Sequence, residues 1–303
     1  MTRFHPLHHL VAIGLVLIWG CTFVAIKIAL GVLPPLFLTF LRFFFCAVPA
    51  VFFLKRPALP WRQVVAYGLA IFAMQFGFLF SAMNIGVSPG MASVLLQVQA
   101  FLTIAMAALL LGERPSRAQW AGALVAGCGL GIILANLGGD MPLPGLMLML
   151  LAACSWATGN IIAKGFRVPV NSVSLVAWGA AVATPAMGLM SLIFEGPARI
   201  GAALPHVDLT TAGAVAYISL ASTLVGYGLW NFLLRHYPVA MVAPLTLLIP
   251  IVGMVSSATA LNEPMHAWKL QATGLILLGL AVNMFGGFVA QKASQLYAIL
   301  TDK

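Results

Sequence analysis

Ten runs of mainly apolar residues, each close to the length that an α-helix needs to cross a lipid bilayer, follow one another along the chain. A hydrocarbon core about 30 Å thick requires roughly 20 apolar residues in helical conformation. Short connections that contain Gly, Pro or charged residues, all of which mark helix ends, separate the runs. With 62% hydrophobic and 7% charged residues, the composition differs from that of a soluble domain, in which about 25% of the residues are charged. The sequence predicts an all-α integral membrane protein with ten transmembrane helices.

These breaks set the predicted helix boundaries. The predicted spans are residues 9–30, 35–54, 64–83, 90–111, 118–136, 144–164, 172–194, 210–234, 239–261 and 270–291. Among the connections, residues 195–209 form the only one long enough to have shape outside the membrane.

Two halves of the sequence resemble each other. Trp19 and Lys27 are eight residues apart near the start of the first half, and Trp156 and Lys164 have the same spacing in the second half. Duplicated sets of membrane helices are how many transporters are built. The duplication therefore predicts transport before any catalytic motif is considered.

The fourth and ninth spans extend the repeat. Glu113 follows Met91 by 22 residues, Glu263 follows Met241 by the same distance, and the two segments align without a gap. Each half then contains five spans, and because five is odd the second half lies inverted in the membrane. We predict two inverted five-helix repeats, residues 1–137 with helices 1 to 5 and residues 138–303 with helices 6 to 10.

Basic residues are concentrated on one side of the predicted bundle. If the N-terminus is cytoplasmic, the cytoplasmic connections and tails contain Arg3, Lys55, Arg56, Arg62, Arg114, Arg117, Lys164, Arg167, Arg235, Lys292 and Lys303. The opposite side then contains only Arg199 and Lys269 in its connections. This bias predicts that both termini are cytoplasmic. The net charge of +9 fits anionic membrane lipid and gives no reason to expect a nucleic-acid partner.

Four short motifs carry a resemblance to a known family. They are Ile18-Trp19-Gly20-Cys21-Thr22-Phe23 with Lys27, Leu41-Arg42-Phe43, Leu111-Gly112-Glu113-Arg114, and Trp156. In these motifs the whole chain resembles the EamA family of the drug/metabolite transporter superfamily. Residues 95–104 and 155–160 are most similar to bacterial exporters of O-acetylserine, cysteine and other amino acids.

The resemblance implies a secondary transporter of the bacterial inner membrane that works by alternating access through a central cavity. Its implied substrates are small amino acids and related metabolites, such as cysteine, O-acetylserine, threonine, methionine or aromatic amino acids. A broader metabolite or drug efflux carrier and a membrane scaffold without transport activity remain as alternatives. The oligomeric state is left open.

Two basic residues of the first half lie within predicted spans, where charge is expensive and indicates function by default. Lys27 and Arg42 both lie toward the non-cytoplasmic side and are candidates for contact with a substrate carboxylate or for gating. Arg42 could bind a carboxylate through two parallel hydrogen bonds, in a bidentate contact. The alternative is that both side chains reach the membrane interface or bind carbonyl groups at helix ends.

Uncharged amides are candidates for hydrogen bonds to an amino acid. Gln97 and Asn160 are assigned to the substrate cavity. Gln99 is two residues from Gln97, so on one regular helix the two side chains point about 200° apart and cannot both face the cavity.

Aromatic residues within the spans are candidates for the cavity wall, namely Trp19, Phe76, Phe80, Trp156 and Tyr227. Phe76 and Phe80 are four residues apart and share a helix face, which suits either a pocket wall or helix packing. An indole N–H deep in the membrane needs a partner, so Trp19 and Trp156 are the strongest candidates.

All six acidic residues and all six histidines fall in predicted connections or tails, or, for His9, at the first residue of a span. A proton-driven mechanism based on a buried carboxylate or histidine is therefore unsupported, and efflux of cationic drugs is disfavoured. No nucleophile with a base and no pair of carboxylates is found at membrane depth, so an enzyme is not predicted. Neither catalytic residues, a metal site nor a cofactor is expected.

Overall fold

The computed structural model describes residues 5–139 and 141–301, with side chains described for all of these except 239, 240 and 287–301. Within this part of the chain the secondary structure is helical and no strand is present. Ten helices are long and apolar enough to span a membrane. They are α1 (Pro6–Leu30), α2 (Pro35–Phe53), α3 (Trp61–Asn84), α4 (Pro89–Leu111), α5 (Arg117–Ala135), α6 (Leu143–Lys164), α7 (Ser172–Phe194), α8 (Leu209–His236), α9 (Ala243–Leu261) and α10 (Ala267–Thr301).

Local sequence signals start these helices. Proline lies in the first turn of α1, α2, α4 and α6, where its missing N–H costs no hydrogen bond. Ser116 and Gln119 form a capping box at the start of α5. Asn171 and Asp208 accept hydrogen bonds from the first turns of α7 and α8.

The fourth helix of each half ends in the same way. Gly112 follows α4 with φ 68°, and Asn262 follows α9 with φ 54°, so both residues are in the left-handed region. Such a residue closes a helix by bonding back to its last carbonyl groups. Each immediately precedes one of the aligned glutamates, Glu113 and Glu263.

Irregular turns interrupt four helices near the centre of the bundle. The third helix of each half contains a π-helical stretch, Leu69–Met74 in α3 and Tyr217–Val225 in α8. The fourth contains a 3-10 stretch, Leu96–Val98 in α4 and Ala243–Leu247 in α9. Turns of these kinds often mark hinges or functional sites.

Glycines allow close helix contacts around this centre. A Cβ atom at Gly122 of α5 would lie 2.5 Å from the carbonyl oxygen of Gly279 in α10. A Cβ atom at Gly68 of α3 would lie 2.8 Å from the carbonyl oxygen of Gly179 in α7. Small residues at these crossings let the backbones approach.

The predicted set of ten membrane helices is confirmed, with corrections at the helix ends. Lys269 lies inside α10 and is fully buried, although the sequence placed it in a connection. The prediction was wrong because a lysine with a buried acidic partner can be accommodated in a helix. His8 and His9 lie in α1 and His236 lies in α8, not in connections.

The structure does not describe all the basic residues from which the orientation in the membrane is predicted. Arg3 and Lys303, and the side chain of Lys292, lie outside the described part of the chain. The cytoplasmic placement of the termini therefore stays a prediction.

Candidate functional site

A cavity of about 410 Å³ lies at the centre of the bundle, between α1, α2, α3, α4, α6, α8 and α9. This volume is within the usual range for small-molecule sites. Its wall combines aromatic rings, uncharged polar side chains and, among the described residues, a single charged side chain, that of Arg42.

Arg42 extends from α2 into the cavity wall and is only 2% exposed. Its Nη2 donates a hydrogen bond to Oγ of Ser222, at 3.3 Å, and its guanidinium carbon lies 4.2 Å from the centre of the Phe76 ring. Its Nε and Nη1 have no hydrogen-bond partner. A buried donor without a partner is costly, so these nitrogens indicate a missing acceptor.

Ser222 joins α1, α2 and α8 at this point. Its carbonyl oxygen accepts a hydrogen bond from the indole Nε1 of Trp19, at 3.0 Å. A further hydrogen bond of 2.9 Å joins Oγ of Ser222 and Oγ1 of Thr22. The half-buried indole of Trp19 thus has a hydrogen-bond partner within the bundle.

Aromatic rings form the apolar part of the wall. Trp19, Phe76, Trp156 and Tyr227 all line the cavity, as their candidate assignment requires. The rings of Trp19 and Tyr227 meet edge to face, with 5.4 Å between their centres. Such contacts fix the rings in place.

Phe80 does not line the cavity. It is fully buried behind Phe76, with 5.9 Å between the ring centres. The two side chains share a helix face, but Phe80 lies farther along α3 and packs against other helices. Phe80 therefore packs behind the cavity wall, in contact with the ring of Phe76.

The amide residues lie on the wall together. Gln97, Gln99 and Asn160 all line the cavity, although a regular helix would point Gln97 and Gln99 apart. The 3-10 stretch Leu96–Val98 changes the register between the two residues. Each amide is also held by a neighbour: Gln97 donates to the carbonyl oxygen of Thr246 at 3.2 Å, and Asn160 donates to Oε1 of Gln99 at 3.1 Å.

Lys27 lies away from the cavity, near the end of α1. Its Nζ is 3.4 Å from the carbonyl oxygen of Met83 at the end of α3. This contact corresponds to the alternative in which the lysine binds a carbonyl group at a helix end. Of the two candidate cations, Arg42 therefore lines the cavity and Lys27 does not.

The cavity is open toward the end of the bundle where α1 begins, which we call the N-terminal end. Tyr67, Asn160 and Trp230, on this side of the wall, are half-buried. Ile26 and Leu79, on the opposite side, are 0% and 1% exposed. The opposite end is therefore closed.

A buried ionic cluster lies at the closed end. Oε2 of Glu263 accepts hydrogen bonds from the backbone N–H of Gly90, at 2.9 Å, and from Oγ of Ser257. Nζ of Lys269 donates to Oε1 at 3.0 Å. The carboxylate thereby links the first turn of α4 in one half to α9 and α10 in the other, where the helix N-terminus favours negative charge.

The pKa of Glu263 is lowered from its ordinary value. Burial acts to raise the pKa, but hydrogen bonds from Ser257, the Gly90 amide and Lys269 stabilise the carboxylate and outweigh it. The sequence missed this buried carboxylate because a residue in a connection can still be enclosed by neighbouring helices.

The aligned residue of the first half is in a different state. Glu113 accepts hydrogen bonds from Nζ of Lys164 at 2.8 Å, and the two side chains are 51% and 45% exposed. The two aligned carboxylates therefore differ in exposure. Glu263 is buried at the closed end of the cavity, and Glu113 is exposed at the open end.

No group of three or more His, Cys, Asp or Glu side chains suited to a metal ion is found among the described residues. Sequence reasoning also missed several residues of the wall, including Thr22, Tyr67, Gln75 and Ser222. Gln75 was detectable as a buried amide within a span, whereas short hydroxyl side chains are common in membrane helices and give no signal of their own.

Known proteins are similar to this chain in sequence and in fold. The model of the "EamA-like transporter family" matches residues 7–135 and again residues 143–285. A Salmonella typhimurium protein named "Probable amino-acid metabolite efflux pump" is 42% identical over 287 residues, covering 93% of this chain and 96% of that protein. An Escherichia coli protein with the same name is 40% identical over 282 residues, covering 91% and 94%. A crystal structure aligns with a TM-score of 0.62 at 21% identity, covering 96% of this chain and 99% of that chain, which shows a shared fold.

Proposed function

The chain belongs to the EamA-like transporter family, and from that premise we propose that it exports small amino acids and related metabolites through the central cavity. It is a multi-pass membrane transporter and not an enzyme. The names of its relatives in Salmonella typhimurium and Escherichia coli support amino-acid metabolites as the substrate class. Cysteine, O-acetylserine, threonine, methionine and aromatic amino acids are the candidates.

The observation that carries this proposal is that Nε and Nη1 of Arg42, in the cavity wall, have no hydrogen-bond partner. A carboxylate is the acceptor that a guanidinium binds best. Trp19, Phe76, Trp156 and Tyr227 supply apolar surface for a side chain, and Gln97 and Asn160 supply hydrogen bonds. Lys27 is not part of the proposed site.

We propose that transport proceeds by alternating access between two inverted repeats, residues 1–137 and 138–303. With the N-terminus in the cytoplasm of a bacterial cell and the protein in its inner membrane, the open end of the cavity faces inward. An inward opening is where an exporter loads its substrate. The buried Glu263 cluster then closes the outer side.

Reconstitution in liposomes tests the proposal. Purified protein should move labelled methionine, cysteine or O-acetylserine across the membrane faster than empty vesicles do, and an Arg42→Gln variant should lose this activity. A competition panel of the candidate amino acids against one labelled substrate ranks them. Transport of cationic drugs in place of amino acids would support the alternative of a broader efflux carrier. If no compound is transported, the alternative of a membrane scaffold without transport activity remains.

A further inference from the structure

We propose that the cavity prefers a carboxylate with a net charge of −1, such as an N-acylated amino acid, over a zwitterionic amino acid. This inference rests on the proposed function, because it concerns the same cavity. It follows from the charge of the wall and from the state of Arg42.

Among the described residues, the charge of Arg42 has no ionic partner. Its guanidinium contacts Oγ of Ser222 and lies near the rings of Phe76, Phe43 and Phe80, whose centres are 4.2, 5.7 and 6.0 Å away; the side chains of Tyr227 and Cys46 also lie nearby. These rings attract a cation through their faces but accept no hydrogen bond in the plane of the guanidinium. Nε and Nη1 therefore remain available for a carboxylate.

The rest of the wall carries no compensating negative charge. Every other described lining residue is uncharged, and its polar groups are hydroxyls and amides such as those of Ser93, Gln97 and Asn160. A substrate ammonium group needs a carboxylate or several acceptors when it leaves water. Neutral amides, in contrast, suit the amide of an N-acyl group.

Charge balance then ranks the substrates. A bound monoanion makes the occupied cavity neutral, a zwitterion leaves it with one positive charge, and a cation raises that to two. Uncompensated charge is costly in a low-dielectric site. The expected order of affinity is monoanion, zwitterion, cation.

The size and surface of the cavity agree with this order. Its volume of about 410 Å³ leaves room for an acyl group beside an amino-acid skeleton. The rings of Trp19, Trp156 and Tyr227 provide apolar surface for that group. The same rings could instead hold an ammonium by cation–π contact, and this competing outcome is measurable.

Methionine and two of its derivatives, N-acetyl-methionine and methionine amide, have the same side chain but differ in net charge. Calorimetry on the purified protein should show that N-acetyl-methionine binds about tenfold or more tightly than methionine, since burial of the ammonium group of methionine without a negative partner costs at least that factor. Methionine amide should bind weakest. Equal or tighter binding of methionine would overturn the proposal.

Transport of the same compounds in liposomes distinguishes the two proposals. If methionine moves and N-acetyl-methionine neither binds nor moves, amino-acid export stands and the charge preference falls. If only N-acetyl-methionine moves, the charge preference stands and export of free amino acids falls. If neither moves, both fail.

Variants of Arg42 assign the effect to its charge. Arg42→Gln should abolish or reverse the preference for N-acetyl-methionine over methionine, because the zwitterion then leaves the cavity neutral and the monoanion does not. Arg42→Lys should keep most of the preference, with weaker binding of both compounds. Arg199→Gln, which removes an exposed arginine on the short helix Gly196–Ala203, is the matched control and should keep the full preference. A full preference in Arg42→Gln contradicts the proposal, and the ligand series on the unmodified protein decides it if that variant does not fold.

Discussion

Nζ of Lys269 lies 3.0 Å from Oε1 of Glu263, and the lysine side chain has no exposed surface. The aligned glutamate of the first half, Glu113, pairs with Lys164 at the surface of the open end. One sequence motif therefore occurs in two environments within a single chain. The pair offers an internal comparison between a buried and an exposed ionic contact.

The Glu263→Gln variant should destabilise the protein by about 3–5 kcal/mol, because it removes the carboxylate that pairs with the buried charge of Lys269. Glu113→Gln should change stability by about 1 kcal/mol or less, since its ion pair is exposed. Thermal unfolding of the two variants in detergent measures both effects. Equal destabilisation would show that burial of the ion pair is not the deciding factor.

Protonation of Glu263 should reduce the stability of the folded protein in acid. A carboxyl group whose pKa is lowered in the folded state stabilises the fold above its ordinary pKa, which is 4.5 here, and the contribution is lost as the pH falls through the folded value. The stability difference between the unmodified protein and Glu263→Gln should be constant from about pH 7 to about pH 5.5 and shrink below about pH 4.5. The pKa of Asp208 is also lowered, by hydrogen bonds from Thr211, but this residue is unchanged in both proteins and cancels. A constant difference down to about pH 3 would contradict the prediction.

Gly226→Ala should impair transport without contact to substrate. An added Cβ atom would lie 3.0 Å from Cδ1 of Trp19 and closer still to Nε1, so the indole must move and lose its bond to Ser222. The transport rate should fall several-fold while the yield of folded protein changes little. Gly228→Ala is the matched control, because its Cβ atom meets nothing within 4 Å. Equal transport in the two variants would show that the position of Trp19 is unimportant.

Gly122→Ala should destabilise the contact between α5 and α10. Its Cβ atom would lie 2.5 Å from the carbonyl oxygen of Gly279 and 3.0 Å from the backbone nitrogen of Asn283, neither of which can rotate away. We expect a cost of about 1–3 kcal/mol, typical of overpacking. Gly127→Ala on the same helix meets nothing within 4 Å and should behave like the unmodified protein. Thermal unfolding in detergent compares them.

Thiol labelling tests which end of the cavity is open. In a background without the four native cysteines, Asn160→Cys should react with a membrane-impermeant reagent added from the cytoplasmic side. Ser93→Cys, deep in the wall and 1% exposed in the native side chain, should react slowly from either side. Rapid labelling of residue 93 from the outside would contradict the inward-open arrangement.

The sequence predicts the helices well, because spanning length and apolar character are local properties. It also brings Trp19, Trp156, Arg42 and Gln97 into consideration, since polar and aromatic groups at membrane depth need a reason to be there. All four line the cavity. The assignment of substrate contacts to them stays a prediction.

What the sequence could not supply depends on contacts between helices. Phe76 and Phe80 share a face of α3, yet only Phe76 reaches the cavity, because neighbouring helices enclose Phe80. Gln97 and Gln99 both reach it, because a 3-10 stretch interrupts α4. The burial of Glu263 depends on Gly90, more than a hundred residues away in the sequence.

The π-helical stretches also allow the chain to change in length without changing the cavity wall. A π turn holds one residue more than an α turn, so deletion of one residue from Tyr217–Val225 would restore a regular helix. Because the π turn absorbs the additional residue, the remainder of α8 would keep about the same orientation, and Tyr227 and Trp230 would stay on the cavity wall. The same applies to Leu69–Met74, which directly precedes Gln75 and Phe76. Deletion of one residue from a regular part of either helix would instead rotate the residues beyond it by about 100° and take these side chains off the wall.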